Sequence, residues 1–232
     1  MAVYTEVTAE ELALMLRRYE IGELVALKGI AEGVENSNFF IRTTEGPYFL
    51  TLYERRVSRS DLPFFLGLME HLSAEGVICP TPVHDRDGRV LQTLAGRPAA
   101  IVTFLPGYSI RKPQPVHCEA MARMLARIHT AGKTFTVRRE NALSLRGWEG
   151  LSASLGRRAD ELCEGLTVGI REHLRDLSRE WPRHLPSGVI HADLFPDNVL
   201  FLNDSVSGVI DFYFACNDFL AYDLAICLNA WC

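Results

Sequence analysis

The chain has 232 residues, 48% of them hydrophobic, with a formal net charge of −5. That is enough apolar material for a large core or two lobes, and the acidic balance with only short basic pairs such as Arg138-Arg139 argues against a general nucleic-acid binder. The most apolar stretch, 209–232, is broken by Asp211, Asp218 and Asp223, so no membrane span is expected, and Glu6, Glu10 and Glu11 interrupt any signal-like run at the start. The six cysteines include no Cys-x-x-Cys pair, which fits reduced thiols in a cytoplasmic protein rather than staples or a zinc site.

In chain order, Thr8-Ala-Glu-Glu11 is a capping-box signature, and Leu12, Met15 and Leu16 follow at helical spacing. A glycine-containing loop is expected over 28–38. Phe39–Thr43 and Tyr48–Tyr53 flank Glu45-Gly46-Pro47 and predict an antiparallel hairpin. Ser60-Asp-Leu-Pro63 opens a helix through Phe65, Leu68, Met69 and Leu72 that stops near Gly76. Residues 89–94 and 99–105 predict a second hairpin around Gly96-Arg97. The first hundred residues thus read as a small sheet with one helix packed on it.

Leu105-Pro-Gly107 and Lys112-Pro-Gln-Pro115 break this pattern, and Gly107 is the expected point at which the chain turns into a second lobe. A helix carrying Met121, Met124, Leu125 and Ile128 on one face follows, with His129 at its end, and then a less regular helical region over 150–181. Asn198–Leu202 and Ser207–Asp211 read as two strands joined by the Asn203-Asp204-Ser205 turn. The expected architecture is α+β and bilobal: a β-rich lobe over 1–105 and a mainly helical lobe over 106–232, with a ligand cleft between them.

The chemistry concentrates in His191-Ala-Asp-Leu-Phe-Pro-Asp-Asn198 and Val209-Ile-Asp211-Phe212. A carboxylate that accepts a hydroxyl proton, with oxygen ligands for a hard cation five and eighteen residues later, is the layout of a phosphoryl-transfer site. Asp193 is the candidate general base, and Asn198 and Asp211 are the candidate magnesium ligands. His191 is expected to hold the loop backbone. The bland reading of any one of these residues, a turn cap or a strand end, fails to explain why they occur together.

On these residues the chain resembles the aminoglycoside phosphotransferase and choline kinase superfamily, relatives of the protein kinases. That resemblance implies a protein-kinase-like fold with ATP and Mg2+. Protein-kinase features are missing: no arginine follows His191, no glycine follows Asp211-Phe212, and no Ala-Pro-Glu segment is present. A small-molecule acceptor is implied instead. The segments 33–39, Tyr48–Glu54, His191–Asn198 and Ile210–Asp218 are similar to the bacterial homoserine kinases of this fold. This likeness implies transfer of the ATP γ-phosphate to the hydroxyl of L-homoserine in threonine biosynthesis. Two other readings stay open: a kinase of another small alcohol (an aminoglycoside, choline or a sugar), or a non-catalytic nucleotide- or partner-binding fragment.

Where relatives carry a phosphate-gripping lysine on the third strand and a partner glutamate on the next helix, the alignment places Thr51 and Phe65. Phosphate contacts are then expected from Asn36, Ser37 and Asn38, with Arg55 or Arg42 supplying positive charge. Val102, Thr103, Phe104 and Leu105 are the expected adenine-side linker. Candidates for the amino-acid acceptor are Asp197, Tyr213 and Asp218, with Asn217 and Asn229 nearby; Asp223 is expected to tether a helix, and Trp148 and Trp231 to pack. The apolar helix expected over 223–232 ends without a cap, whereas relatives continue, so a C-terminally shortened chain is expected. Oligomeric state is not legible.

Overall fold

The structure, a computed structural model, describes residues 5–30, 36–54 and 57–232. Gly33 and Arg55 lie outside the described residues.

The first half is a five-stranded antiparallel sheet in the order β1-β2-β3-β5-β4: β1 Leu24–Ile30, β2 Ser37–Thr43, β3 Gly46–Leu52, β4 Gln92–Leu94 and β5 Arg97–Thr103. The β2–β3 register sets Asn38 opposite Thr51 and Phe40 opposite Phe49. Both hairpins were legible in the sequence. β1 was not, and Lys28-Gly29-Ile30, expected as loop, complete it. The period-2 rule divides β2 cleanly. Phe39 and Ile41 are buried beneath helix α1 (Ala9–Leu16) in a core with Leu12, Met15, Leu16, Leu50, Leu52 and Ile101. Asn38 and Phe40 project from the opposite face.

Helix α1 starts with the full reciprocal box: the Thr8 hydroxyl accepts from the Glu11 N–H, and the Glu11 carboxylate accepts from the Thr8 N–H at 3.0 Å. Helix α1 covers one face of the sheet, while α2 (Leu62–Ala74), the helix expected there, joins a second core that takes in Ala100 and Val102 of β5 and extends into the rest of the chain. Leu62, Phe64, Phe65, Leu66, Leu68, Met69 and Leu72 are all buried, together with Met121, Leu125, Val189, Val199 and Phe212. A helix apolar on nearly every side is one enclosed from several directions.

The second half follows the linker. Strand β6 (Tyr108–Ser109) pairs with β8 (Val199–Leu202), which pairs with β9 (Ser205–Val209). Helices α3 (Pro115–Ala131), α4 (Leu145–Leu155) and α5 (Leu166–Glu180) come between them. Strands β7 (Ser187–Ile190) and β10 (Cys216–Phe219) form an unanticipated two-stranded pair, and α6 (Leu220–Trp231) ends the chain. Among the described residues no helix is long and apolar enough to cross a membrane.

Candidate active site

The segment His191–Asn198 runs from the end of β7 to the start of β8, between the two small sheets of the second half. Its first residues are held by Asp223, one turn into α6 and fully buried. One carboxylate oxygen accepts the His191 N–H and the other the Ala192 N–H, each at 2.9 Å. The imidazole of His129, at the end of α3, donates its Nε2–H to the same group at 2.9 Å. Burial alone would push this carboxyl up; the His129 bond, the nearby His191 and the backbone N–H outweigh it and hold it below the usual value. The helix-tethering role expected of Asp223 is the geometry found, and His129 has a partner that its position in sequence did not disclose.

His191 is fully buried and uses both ring nitrogens. Nε2–H donates to the Ile210 carbonyl at 3.0 Å, and Nδ1 accepts the Asp193 N–H at 3.3 Å. A carbonyl only accepts and an N–H only donates, so this pair of partners selects one neutral tautomer. Burial lowers the His191 pKa, while the Asp223 charge, the Ile210 bond and the Asp211 charge pull the other way. The ring lies 4.7 Å from that of Phe212. His191 therefore ties the Asp193 segment to the backbone immediately before Asp211, the scaffold role expected of it.

Asn198 brings the loop back on itself. Its side-chain N–H2 donates to the Asp193 carbonyl at 2.7 Å and to Asp193 Oδ2 at 2.8 Å. The Asn198 carbonyl in turn accepts the Ile210 N–H at 3.0 Å. Asp193, Asn198 and the approach to Asp211 are thereby brought together, as the five-residue spacing predicts. Asp211 itself is not on the strand. β9 ends at Val209, and Asp211 has left-handed backbone angles (φ 63°, ψ 65°) at the head of a 3-10 turn over Phe212–Phe214. Asx residues tolerate this conformation better than most.

The other candidates divide. Asn36 and Ser37 are buried against Glu54: Asn36 Oδ1 accepts the Glu54 N–H at 3.3 Å, and the Ser37 hydroxyl donates to Glu54 Oε1 at 2.8 Å. Asn38 Oδ1 accepts the Thr51 hydroxyl at 2.9 Å across β2 and β3. Arg42 is exposed opposite Pro47, beside the β2–β3 turn and four residues along the strand from Asn38. Val102 and Thr103 are engaged in the sheet and against the preceding segment, where Thr103 N–H donates to the Thr81 carbonyl at 3.0 Å. Phe104 and Leu105 lie beyond the ladder.

Sequence reasoning named Phe104 but overlooked its two aromatic partners on the inner face, Phe40 and Phe49. Phe104 stacks on Phe49 at 5.6 Å and meets Phe40 edge-on at 5.9 Å. The available signal was parity in β2, where Phe40 falls between the buried Phe39 and Ile41. Of the acceptor candidates, Asp197 is exposed, and Asp218 accepts from Asn141 Nδ2 at 2.7 Å. Tyr213 meets the Tyr53 hydroxyl at 3.2 Å. Trp231 packs in the core and donates its indole N–H to the Leu194 carbonyl at 2.8 Å.

Residues 26–232 match the model of the phosphotransferase enzyme family. The chain is 59% identical over its whole length to the homoserine kinase of Rhizobium etli and 60% identical to that of Nitrobacter winogradskyi, spanning 72% and 71% of those proteins. Its fold is that of the amicoumacin kinase hAmiN bound to AMP-PNP, Ca2+ and Ami (TM-score 0.72, 17% identity, 95% of this chain and 68% of that one). It is likewise that of spectinomycin phosphotransferase APH(9)-Ia bound to ADP and its antibiotic (TM-score 0.72, 15% identity, 95% and 73%). The chain belongs to the phosphotransferase enzyme family, among its homoserine kinases.

Proposed function

We infer that Asp193, Asn198 and Asp211 carry the transfer of the ATP γ-phosphate to the hydroxyl of L-homoserine in this ATP-dependent kinase. The observation that carries the reading is the double hydrogen bond from Asn198 to Asp193, joined through the Asn198 carbonyl to the segment leading into Asp211. It holds the Asp193 carboxylate in one orientation and turns Asn198 Oδ1 away from it.

The donor set fits magnesium. Among the described residues there is no group of three or more His, Cys, Asp or Glu able to cage a metal. Mg2+ prefers one or two protein oxygens completed by phosphates and water, and Asn198 Oδ1 with the Asp211 carboxylate would supply them. When bound, it would supply charge neutralisation at the phosphates. Asp193 accepts the proton as the homoserine hydroxyl attacks, and Asn198 holds that carboxylate in place. A kinase of this type needs little covalent chemistry from its side chains, so positioning is the main task of the loop.

We assign Phe40, Phe49 and Phe104 as the apolar wall for adenine, beside the Phe104–Leu105 backbone just past the end of β5. Of the residues expected at the phosphates, Asn38 and Thr51 lie on this inner face, while Asn36 and Ser37 brace it through Glu54. We assign Tyr213 and the Asn141–Asp218 pair to the ammonium and carboxylate of the acceptor, with Asp197 as a further acceptor residue. The reaction belongs in the cytoplasm, where ATP is held.

The test is phosphate transfer from Mg-ATP to L-homoserine by the 232-residue chain, run beside choline and an aminoglycoside. O-phosphohomoserine as the dominant product is expected. Transfer to either of the other acceptors in preference to homoserine would overturn the assignment.

A further inference from the structure

The turn that follows Asp211 is tied to the first half of the chain at two points, directly through Tyr53 and indirectly through Arg139. At its centre, Tyr213 meets Tyr53, just past the end of β3, through their hydroxyls at 3.2 Å, and its ring stands edge-on to Tyr53 at 5.4 Å and to Phe65 of α2 at 5.7 Å. At its end, the Ala215 carbonyl accepts from an Arg139 Nη at 3.1 Å. The same guanidinium donates its Nε–H to Asp61 Oδ2 at 2.7 Å and lies 4.9 Å from the centre of the Phe65 ring. Asp61 is the residue before α2 and Phe65 is in its first turn.

Arg139 is itself held. Its N–H donates to Asn217 Oδ1 at 2.9 Å, and its carbonyl accepts the Asn217 N–H at 2.7 Å. The guanidinium is thus anchored at the backbone to β10 and presents three faces to three partners: a carboxylate, a carbonyl and an aromatic ring. Only a planar fork does this, and Lys cannot. The side chains of Arg139 and Asp61 are 20% and 30% exposed, so the pair is sheltered enough to be directional yet gains little stability as a simple surface ion pair. Its geometry makes better sense as registration of the Asp211 turn against α2.

We propose that Arg139 is a positioning residue for phosphoryl transfer: it fixes the turn carrying Asp211 against the start of α2, so that the cation-binding carboxylate is registered on the nucleotide-binding half of the chain. The proposal rests on Asp211 as a magnesium ligand. Arg139 touches neither phosphate nor acceptor; it acts through the turn.

The experiment is calorimetric binding of ATP to the 232-residue chain, in EDTA and across a magnesium series, for Arg139→Gln, Arg139→Lys and Asp211→Asn, with thermal unfolding of each. Arg139→Gln is expected to raise the magnesium concentration for half-maximal enhancement of ATP binding roughly 2–30-fold, with ATP affinity in EDTA unchanged. Arg139→Lys is expected to recover part of this. Tyr213→Phe, which keeps the ring and removes only the hydroxyl, is expected to shift it the same way and serves where Arg139→Gln does not fold. An unchanged magnesium midpoint in Arg139→Gln beside a lowered melting temperature would reduce Arg139 to a structural residue and overturn the proposal. An unchanged midpoint in Asp211→Asn would instead overturn the assignment of Asp211. Because the readout is nucleotide binding, it is independent of which alcohol is phosphorylated.

Discussion

Asp223 holds Ala192 in a left-handed conformation by accepting its N–H at 2.9 Å, and the φ of that alanine is 62°. A β-carbon in this region costs roughly 1–2 kcal/mol. The buried carboxylate offsets that cost with charge-assisted hydrogen bonds to Ala192, His191 and His129. The tight bend that aims Asp193 therefore depends on a residue thirty positions away in sequence.

Replacing Asp223 with Ala leaves two backbone N–H groups and an imidazole N–H buried without an acceptor. A loss of about 3–5 kcal/mol is expected, the range for removing one partner of a buried charged network. Asp223→Asn should fall between, because its amide can present only one oxygen to three donors. Urea unfolding midpoints measure both, and a wild-type midpoint for Asp223→Ala would show that the bend is held by other contacts.

The pH dependence of stability has a definite sign at two histidines. Burial lowers the folded pKa of His191 from 6.5, so below that value the unfolded chain takes up a proton that the folded chain resists. Its contribution is present above pH 6.5 and is lost as pH falls. His84 runs the other way: the Gly88 carbonyl and then Glu70 raise its folded pKa, so its contribution is present below 6.5 and is lost as pH rises through the raised value. His84→Gln should therefore make acidification from pH 7.5 to 5.5 more damaging, and His191→Gln should flatten the same profile around a lower overall stability. Urea midpoints at three pH values in this window would reveal it, and parallel profiles for the two variants would contradict it.

Asp193→Asn keeps the size of the side chain and removes its basicity. Turnover should fall by about 10²–10⁴, the range for a lost general base, with Mg-ATP affinity nearly unchanged. Steady-state kinetics with L-homoserine, paired with nucleotide titration, separates the two quantities. Turnover within a few-fold of the parent chain would remove Asp193 from this role.

What the sequence made legible was short-range chemistry. The Thr8–Glu11 box, the two hairpins of the first half and the Asp193-to-Asn198 spacing all lie within a few residues, where turn and cap rules operate. β1 escaped because its exposure follows no period of two, and Lys28 and Gly29 resemble loop. The β7–β10 pair escaped because two four-residue strands some 26 positions apart leave no local trace. Asp211 was expected at a strand end because Val209-Ile210 are β-formers, yet the strand stops at Val209 and the carboxylate is set by a left-handed turn. Arg139 was invisible for a related reason: nothing in Val137-Arg138-Arg139 marks which arginine reaches Asp61. Only the fold, by placing the start of α2 beside the turn after Asp211, gives one of them three partners.

Gly107 offers a test of the linker. Its φ is +144°, and a β-carbon there would lie 2.3 Å from Ser207 Oγ and 3.0 Å from both Leu200 Cβ and the Phe201 carbonyl oxygen. Ser207 Oγ donates to the Pro106 carbonyl at 2.7 Å, so the side chain that would have to move is the one pinning the linker to β9. Gly107→Ala therefore combines backbone strain, a lost hydrogen bond and displacement of β6 from β8, and a loss of roughly 2–4 kcal/mol is expected. Gly88→Ala is the matched control: its φ is +77°, but nothing lies within 4 Å of the added carbon, so only the conformational cost of roughly 1–2 kcal/mol applies. Because Phe104 and Leu105 adjoin the linker, Gly107→Ala should also weaken ATP binding where Gly88→Ala does not. Equal unfolding midpoints and equal ATP affinities for the two variants would show that the linker adapts to the extra carbon and that its close approach to β9 is not required.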